Sequence, residues 1–255
     1  MNEKSFDYKR IAEGYANDRP FLHECVVNLL KEDLHISHNF INGLDVGCGA
    51  GLSTKALKII CDKVTGIDVS GEMVEAAKML YTDASYTFFQ SSAEEINVPD
   101  QIFDIVTAAG VVNWVDERKF LSNLRPKMDK GILVIYDFWI TDRMSGNTAY
   151  TDWWHDSYLK MFPKPPRKEN IWTGEMTEPY GFTLEKQATY SIEYEFDKDA
   201  FVRFMMLQSN VNVQVDEKGR SVEEVRGWFD NTLDDIFANK RRTLFFDGYY
   251  WCFYT

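Results

Sequence analysis

Short apolar runs alternate with segments of helical periodicity along the first half of the chain. The runs predict strands over residues 40–46, 64–69, 86–90, 103–108 and 132–138, and the periodic segments predict helices over 52–60, 72–80 and 117–125. Hydrophobicity within each run is uniform rather than alternating, which is typical of parallel strands covered on both faces. Strands that alternate with helices indicate right-handed βαβ units, and therefore a doubly wound α/β sheet.

The regions on either side of this core have a different pattern. Helices are predicted over residues 5–19 and 21–34, ahead of the first strand. Residues 141–181 lose their periodicity and are rich in proline and aromatic residues, so we interpret them as an insert that covers one end of the sheet. The predicted elements of the remainder are a strand or strand pair over 182–195, helices over 199–207 and 221–239, and a strand over 243–254.

The charge and composition of the chain restrict the kinds of partner that it can bind. The formal net charge is −12 over 255 residues, so most of the surface repels nucleic acid. No apolar run approaches a membrane span and the N-terminus lacks a secretion signal, so we expect a cytoplasmic protein without a membrane partner. The 4 cysteines are scattered without metal-ligand spacing, which predicts reduced thiols and no metal site. Nothing in the sequence indicates an oligomeric state.

A glycine-rich loop follows the first predicted strand. It reads Leu44-Asp45-Val46-Gly47-Cys48-Gly49-Ala50-Gly51 and passes directly into a predicted helix. Glycine lets a ligand touch the main chain, so such a loop suits a nucleotide-like ligand. The spacing is Gly-x-Gly-x-Gly rather than the Gly-x-Gly-x-x-Gly of dinucleotide sites, and Asp45 would repel a pyrophosphate but pair with an amino group. These features favour S-adenosylmethionine, which has an α-amino group and no phosphate. A structural turn that Asp45 caps is the alternative.

A second carboxylate ends the second predicted strand. Asp68 follows Ile67, and an acid at this position can accept hydrogen bonds from both ribose hydroxyls of a nucleoside. Val69 and Met73 are suited to flank an adenine ring as apolar walls. The alternative role of Asp68 is to cap the helix that follows.

These motifs resemble those of class I, Rossmann-like methyltransferases, and within that family the group of trans-aconitate methyltransferase and the methyltransferase type 11 proteins. The resemblance is strong over residues 6–138, where Asp45 to Gly51 match the first family motif and Ile67 to Met73 the second. It implies S-adenosylmethionine as the cofactor. The cofactor site that it implies also includes Ser92, Ala93 and Glu94 at the adenine edge, and Ala109 at the end of strand four. Ser92 replaces the acid that commonly accepts from the adenine amino group, and a hydroxyl is the weaker acceptor.

The resemblance extends to two further places. Tyr15 and Arg19 match the cover helix whose tyrosine and arginine close over the methionine part of the cofactor, with a surface arginine as the alternative. Asn113 stands where relatives often carry a histidine, and asparagine takes no proton at neutral pH, so a general base there is in doubt. Trp114 either forms a wall of the substrate site or packs in the core.

We predict one domain over residues 1–255, built around a Rossmann-like, mostly parallel sheet of seven strands. Its predicted parts are N-terminal cover helices (1–39), a cofactor-binding core (40–140), the aromatic-rich insert after strand five (141–181) and a C-terminal sheet with helices (182–255).

The implied reaction is methyl transfer to a small-molecule acceptor, with the oxygen of a carboxylate or hydroxyl favoured. The main demands on the protein are then to align donor and acceptor and to exclude water. A carboxylate acceptor requires no base, whereas a hydroxyl or thiol does. His155 and Tyr158 are the candidates, and the alternative role of His155 is packing or that of a hydrogen-bonded spacer. The predicted substrate-binding residues are Asn113, Trp114, Trp153, Trp154 and Arg203.

Other functions stay open at this point. A non-catalytic or regulatory protein that binds S-adenosylmethionine is compatible with Ser92 and Asn113. An NAD-dependent oxidoreductase is disfavoured by the glycine spacing and by Asp45. An RNA or protein methyltransferase is disfavoured by the acidic charge of the chain.

Overall fold

A seven-stranded sheet forms the centre of the molecule, with the strand order β3-β2-β1-β4-β5-β7-β6. The structure is a computed structural model that describes residues 18–164 and 171–255. The strands are β1 (Phe40–Val46), β2 (Cys61–Asp68), β3 (Tyr86–Gln90), β4 (Ile105–Ala109), β5 (Ile132–Met144), β6 (Thr183–Phe196) and β7 (Arg242–Tyr254). The first five strands pair in parallel, and β7 is antiparallel to both β5 and β6. The predicted doubly wound, mostly parallel sheet is therefore confirmed.

Helices cover the sheet and fill the C-terminal half. They are α1 (His23–Asp33), α2 (Leu52–Leu57), α3 (Gly71–Leu80), α4 (Glu117–Leu124), α5 (Ala149–Trp153), α6 (Leu159–Met161), α7 (Gly174–Thr177), α8 (Lys198–Met205), α9 (Ser209–Asp216) and α10 (Val222–Phe237). A π-helical turn over Trp154–Tyr158 joins α5 to α6. Ser70 caps the N-terminus of α3, because its hydroxyl accepts a hydrogen bond from the Met73 N–H at 3.3 Å.

Two apolar layers lie on opposite faces of the sheet. On one face α1 and α2 bury Val26, Leu30 and Leu57 against β-strand residues such as Val134. On the other face α4 buries Phe120 and Leu124 with Leu133, Trp172 and Phe253. Because alternate β5 residues enter different layers, the uniform hydrophobicity of this strand follows from its being covered on both sides.

A third apolar region, which we call the aromatic cluster, lies among the C-terminal helices and the far end of β5. Its large, fully or nearly fully buried rings belong to Tyr150, Trp153, Trp154, Tyr158, Phe162, Phe201, Phe229 and Phe237. Centroids of adjacent rings lie 4.7–6.5 Å apart, for example 5.5 Å between Trp153 and Tyr158 and 5.2 Å between Phe162 and Phe229. The predicted insert therefore supplies part of a hydrophobic core.

Two elements depart most from the sequence-based prediction. β5 continues to Met144 rather than ending near 138, because its second half pairs with β7 as far as Leu244. Residues 183–196 form the single strand β6, which agrees with the one-strand alternative predicted over 182–195. The helix α9 was not predicted. The first predicted helix, over 5–19, lies almost wholly outside the described residues.

Candidate cofactor site

The candidate site lies at the carboxyl ends of β1 and β4. The chain runs from β1 to β2 and β3 on one side, and β4 continues the sheet on the other side of β1. In open α/β sheets such a reversal leaves a crevice between two strand ends, and ligands bind there. The glycine-rich loop leaves β1 at this crevice.

Asp45 is buried at the end of β1, on the side of the sheet that α1 and α2 cover. Its side chain is completely inaccessible to solvent. One carboxylate oxygen accepts from the Ser53 and Thr54 hydroxyls at 2.5 and 2.7 Å, and the other accepts from the Thr107 hydroxyl at 2.9 Å. Burial raises the pKa of Asp45 to about 6, although the three hydroxyl donors oppose that rise.

These hydroxyl donors were not predicted from the sequence. Ser53 and Thr54 follow the last glycine of the loop, and Thr107 lies beside Asp45 because β4 pairs with β1. Two hydroxyl residues directly after a glycine loop are the signal that could have revealed them. Direct pairing of Asp45 with the amino group of a ligand stays a prediction. That amino group would bind a carboxylate to which three hydroxyls already donate.

The three loop glycines differ in their surroundings. Gly47, Gly49 and Gly51 have φ angles of +72°, +52° and +94°. A Cβ at Gly47 would lie 2.6 Å from Val111, and one at Gly51 would lie 2.5 Å from Tyr81, so both glycines are needed for packing. A Cβ at Gly49 would meet no atom of the described residues within 4 Å. Gly49 is therefore the loop position whose main chain an incoming ligand can touch.

Asp68 links the end of β2 to this loop. One of its carboxylate oxygens accepts from the Gly49 N–H at 2.8 Å, and the other accepts from the Ser70 N–H at 2.9 Å. Asp68 is half-buried, so its carboxylate also borders the open side of the loop. The structure thus brings the predicted ribose acceptor and the predicted glycine together, and also gives Asp68 the capping contact that was its alternative role.

The other predicted cofactor residues surround this loop in different environments. Cys48 is buried, and burial raises the pKa of its thiol well above the usual value. Val69 is exposed by 60%, whereas Met73 is 2% exposed, so only Val69 presents its side chain to solvent beside the loop. Ala109 ends β4, the strand next to β1 in the crevice.

The segment after β3 begins beside Asp68, whose carbonyl accepts from the Ser91 N–H at 2.9 Å. Ser92 is half-buried and Ala93 is buried in the adjoining apolar layer. The Glu94 carboxylate accepts from the Asp116 N–H at 3.0 Å, which links this segment to the start of α4. Contact of these residues with adenine stays a prediction.

The predicted substrate and cover residues lie at several places. Trp114 is 49% exposed after β4, and Asn113 is half-buried beside it. Arg203 of α8 donates to Asp18 at 2.9 Å and also binds Asp199, so carboxylates already neutralise its charge. Arg19 is half-buried, and Tyr15 lies outside the described residues.

The candidates for a general base lie in two unlike settings. His155 has a 56% exposed side chain, and its Nε2 lies 2.8 Å from the Asp142 carboxylate. Tyr158 is inaccessible, and its hydroxyl both donates to and accepts from the Asn210 amide, at 3.1 and 3.0 Å. Trp153 and Trp154 are buried in the aromatic cluster. Tyr158, Trp153 and Trp154 thus belong to a core, whereas His155 is exposed and hydrogen-bonded. A catalytic or substrate role for these four residues stays a prediction.

The residues at the crevice fit S-adenosylmethionine. Open main chain at Gly49 leaves room for a ligand, and a carboxylate beside it suits ribose hydroxyls. Asp45 does not suit a pyrophosphate, since it is an acid at the base of the loop. Within residues 18–164 and 171–255, no side-chain cluster has the composition to hold a metal ion, and no helix is long and apolar enough to cross a membrane.

Comparison with known proteins gives a family for this part of the chain. Residues 44–135 match the family described as a methyltransferase domain. An uncharacterized methyltransferase of Schizosaccharomyces pombe is 32% identical over 121 residues, which are 48% of this chain and 45% of that protein. Malonyl-[acyl-carrier protein] O-methyltransferase 1 of Ilyobacter polytropus is 33% identical over 120 residues, 46% of this chain and 44% of that protein. The aligned part thus spans less than half the length of these relatives.

A solved structure extends the likeness to the whole fold. The structure of a candidate type II methyltransferase from Anaeromyxobacter dehalogenans matches with a TM-score of 0.69 at 19% identity, over 90% of this chain and 94% of that chain. At this identity the match shows the shared fold. Family match, fold and site residues agree for residues 44–135, which form a methyltransferase domain of the class I, Rossmann-like fold with S-adenosylmethionine as its cofactor.

Proposed function

We propose that the chain transfers the methyl group of S-adenosylmethionine to an oxygen atom of a small molecule, and that this oxygen belongs to a carboxylate. The observation that carries the proposal is the open main chain at Gly49 beside the Asp68 carboxylate, in the crevice between β1 and β4. A regulatory protein without catalysis and an oxidoreductase are the alternatives that the experiment below must exclude.

Named residues would hold each part of the cofactor. Asp68 would accept from the ribose hydroxyls, and the loop main chain around Gly49 would contact the methionine part. Ser92 and Ala93 would meet the adenine edge. The bound cofactor supplies an electrophilic methyl group on a positively charged sulfur. The work of the protein is then to align the acceptor behind that methyl group and to exclude water.

A carboxylate acceptor agrees with the groups available for proton transfer. The Asn113 amide takes no proton at neutral pH. Tyr158 is enclosed by aromatic rings, and His155 pairs with Asp142 at the surface. A carboxylate oxygen is already a nucleophile, so no side chain has to take a proton from it. A relative named for malonyl-acyl carrier protein O-methylation also supports an acid as the substrate.

Release of S-adenosylhomocysteine from S-adenosylmethionine tests the proposal. The assay would offer trans-aconitate, malonyl-pantetheine, catechol and a simple thiol, with the variant Asp68→Ala as the control that lacks the ribose acceptor. We expect release with an acid, together with a methyl ester detected by mass spectrometry. Release with catechol or the thiol alone contradicts a carboxylate acceptor, and binding of S-adenosylhomocysteine without any turnover supports the regulatory alternative.

A further inference from the structure

A buried histidine contacts the sheet next to the candidate site. His23 begins α1 and is 8% exposed, and its Nδ1 lies 2.8 Å from the hydroxyl of Tyr136 in β5. Its ring also meets Phe138 edge-on, with centroids 4.9 Å apart. The role that we assign below to this pair rests on the function proposed above.

The strand register places Tyr136 beside the crevice. Asp45 pairs with Thr107 in β4, and Tyr136 pairs with Ala109, two residues further along the same strand. Because residues two apart in a strand face the same side, Tyr136 and Asp45 lie on one face of the sheet, with Tyr136 nearer its carboxyl edge. An acceptor placed over the end of β4, beside the middle of β5, would therefore lie next to the pair of His23 and Tyr136.

The hydrogen bond fixes where the imidazole proton lies. Burial and the Asp45 carboxylate hold the pKa of Tyr136 well above its usual value, so the phenol keeps its proton. Among the described residues the hydroxyl of Tyr136 has one hydrogen-bond partner, His23 Nδ1. The phenol therefore donates to Nδ1, and a neutral imidazole then carries its own proton on Nε2. Burial and the charge of Arg19 lower the pKa of His23 to about 3, so the ring stays neutral.

Nε2 of His23 is thus a hydrogen-bond donor, and it has no hydrogen-bond partner within the described part of the chain. We propose that His23 is a substrate-binding residue whose Nε2–H donates to a carboxylate oxygen of the methyl acceptor, and that Tyr136 is the positioning residue that fixes this tautomer. Since methyl transfer to a carboxylate forms one C–O bond, breaks one C–S bond and leaves its electron pair on sulfur, no proton has to reach the imidazole.

Three variants separate the parts of this proposal. His23→Leu removes both ring nitrogens. His23→Gln keeps an oxygen to accept from Tyr136 and an N–H to donate to the acceptor. Tyr136→Phe leaves the imidazole but removes the group that fixes its tautomer. Thermal melting would confirm that each variant is folded, and calorimetry with S-adenosylhomocysteine would confirm that its cofactor site is intact.

The kinetic measurement uses the acid that the wild-type protein methylates fastest in the panel above. We expect His23→Leu to raise the KM for this acid about tenfold to a hundredfold, the usual effect of a lost hydrogen bond to a charged group, with kcat changed by less than about threefold. His23→Gln should recover most of this loss. An unchanged KM in a folded His23→Leu variant overturns the inference while leaving the proposed function intact.

A spectroscopic measurement tests the tautomer directly. Long-range ¹H–¹⁵N correlation spectra of the wild-type protein with bound S-adenosylhomocysteine should show the His23 proton on Nε2, and addition of the acid should shift that nitrogen. Tyr136→Phe should give a mixture of tautomers. A proton on Nδ1 in the wild-type protein contradicts the proposal. If no acid supports turnover although S-adenosylhomocysteine binds, both the proposed function and this inference fail.

Discussion

The glycine loop lines an open crevice whereas the aromatic cluster is a closed core, and different interactions stabilise the two regions. At the loop, hydroxyl and main-chain N–H groups donate to Asp45 and Asp68, so each polar group has a specific partner. In the aromatic cluster ring packing dominates, and Trp153 Nε1 has no hydrogen-bond partner among the described residues. The loop therefore depends on the chemical identity of a few residues, whereas the cluster depends on volume and shape.

This difference explains why the two regions respond differently to substitution. A change at the loop alters charge or main-chain access and should affect ligand binding first. A change in the aromatic cluster removes packed volume and should affect stability first. The predictions below test that separation, beginning with the largest expected effect.

Gly49→Val should abolish detectable S-adenosylhomocysteine binding by calorimetry, a loss of roughly a thousandfold or more, or about 4 kcal/mol. Its side chain would fill the open space at the loop. Gly146→Val is the matched control, because Gly146 also has a positive φ, +65°, and open space around a built Cβ, but it lies in the turn after β5. Micromolar binding by Gly49→Val, or equal loss in both variants, would contradict the assigned site.

Phe229→Ala should lower the free energy of unfolding by about 3–5 kcal/mol, because it leaves a cavity among completely buried rings. Denaturant titration measures this loss, and Phe229→Leu should lose less because more of the volume is kept. S-adenosylhomocysteine affinity should stay within about threefold at a temperature where the variant is folded. A large loss of affinity would mean that the aromatic cluster and the loop are coupled.

Asp45→Asn should stabilise the fold in a pH-dependent manner. Burial raises the pKa of Asp45 to about 6 from its ordinary value of 3.8, so the charge of Asp45 destabilises the folded state above pH 6 and not below pH 3.8. The stability of Asp45→Asn relative to the wild-type protein should be about 3 kcal/mol higher at pH 8 than at pH 4, on the order expected for this change in proton affinity. Urea titrations of Asp45→Asn and of the exposed control Asp129→Asn check this. A gain of equal size at both pH values would contradict the assigned charge effect.

His155→Ala and Tyr158→Phe should change turnover least, by less than about threefold, because a carboxylate acceptor needs no base. Tyr158→Phe should also cost roughly 1–2 kcal/mol of stability, since the Asn210 amide loses its buried partner. Steady-state rates with the best acid provide the measurement. A hundredfold fall in kcat in either variant would identify a base and contradict the carboxylate acceptor.

The sequence is most informative where chemistry requires particular residue types. Asp45, the loop glycines and Asp68 could be located because few sequences place acids and glycines at this spacing after two strands. The bounds of β1 and β3 also follow directly from their apolar runs. The hydroxyl of Thr107 could not be connected to Asp45, since their contact depends on strand pairing between residues 62 positions apart.

Other parts could not be predicted for identifiable reasons. The second half of β5 contains Asp137 and Asp142, so its sequence lacks the apolar pattern of its first half. The helix α9 contains Asn210 and Asn212, which have low helix propensity, and both are buried by tertiary contacts. Aromatic residues at helical spacing suit a pocket wall and a core equally well, so sequence alone could not assign Trp153.

A crystal structure of the protein with S-adenosylhomocysteine tests the central claim most directly. We predict that the ribose hydroxyls lie within hydrogen-bond distance of the Asp68 carboxylate and that the homocysteine part contacts the main chain at Gly49. Density for the ligand at any other place, with an empty crevice between β1 and β4, would contradict the account.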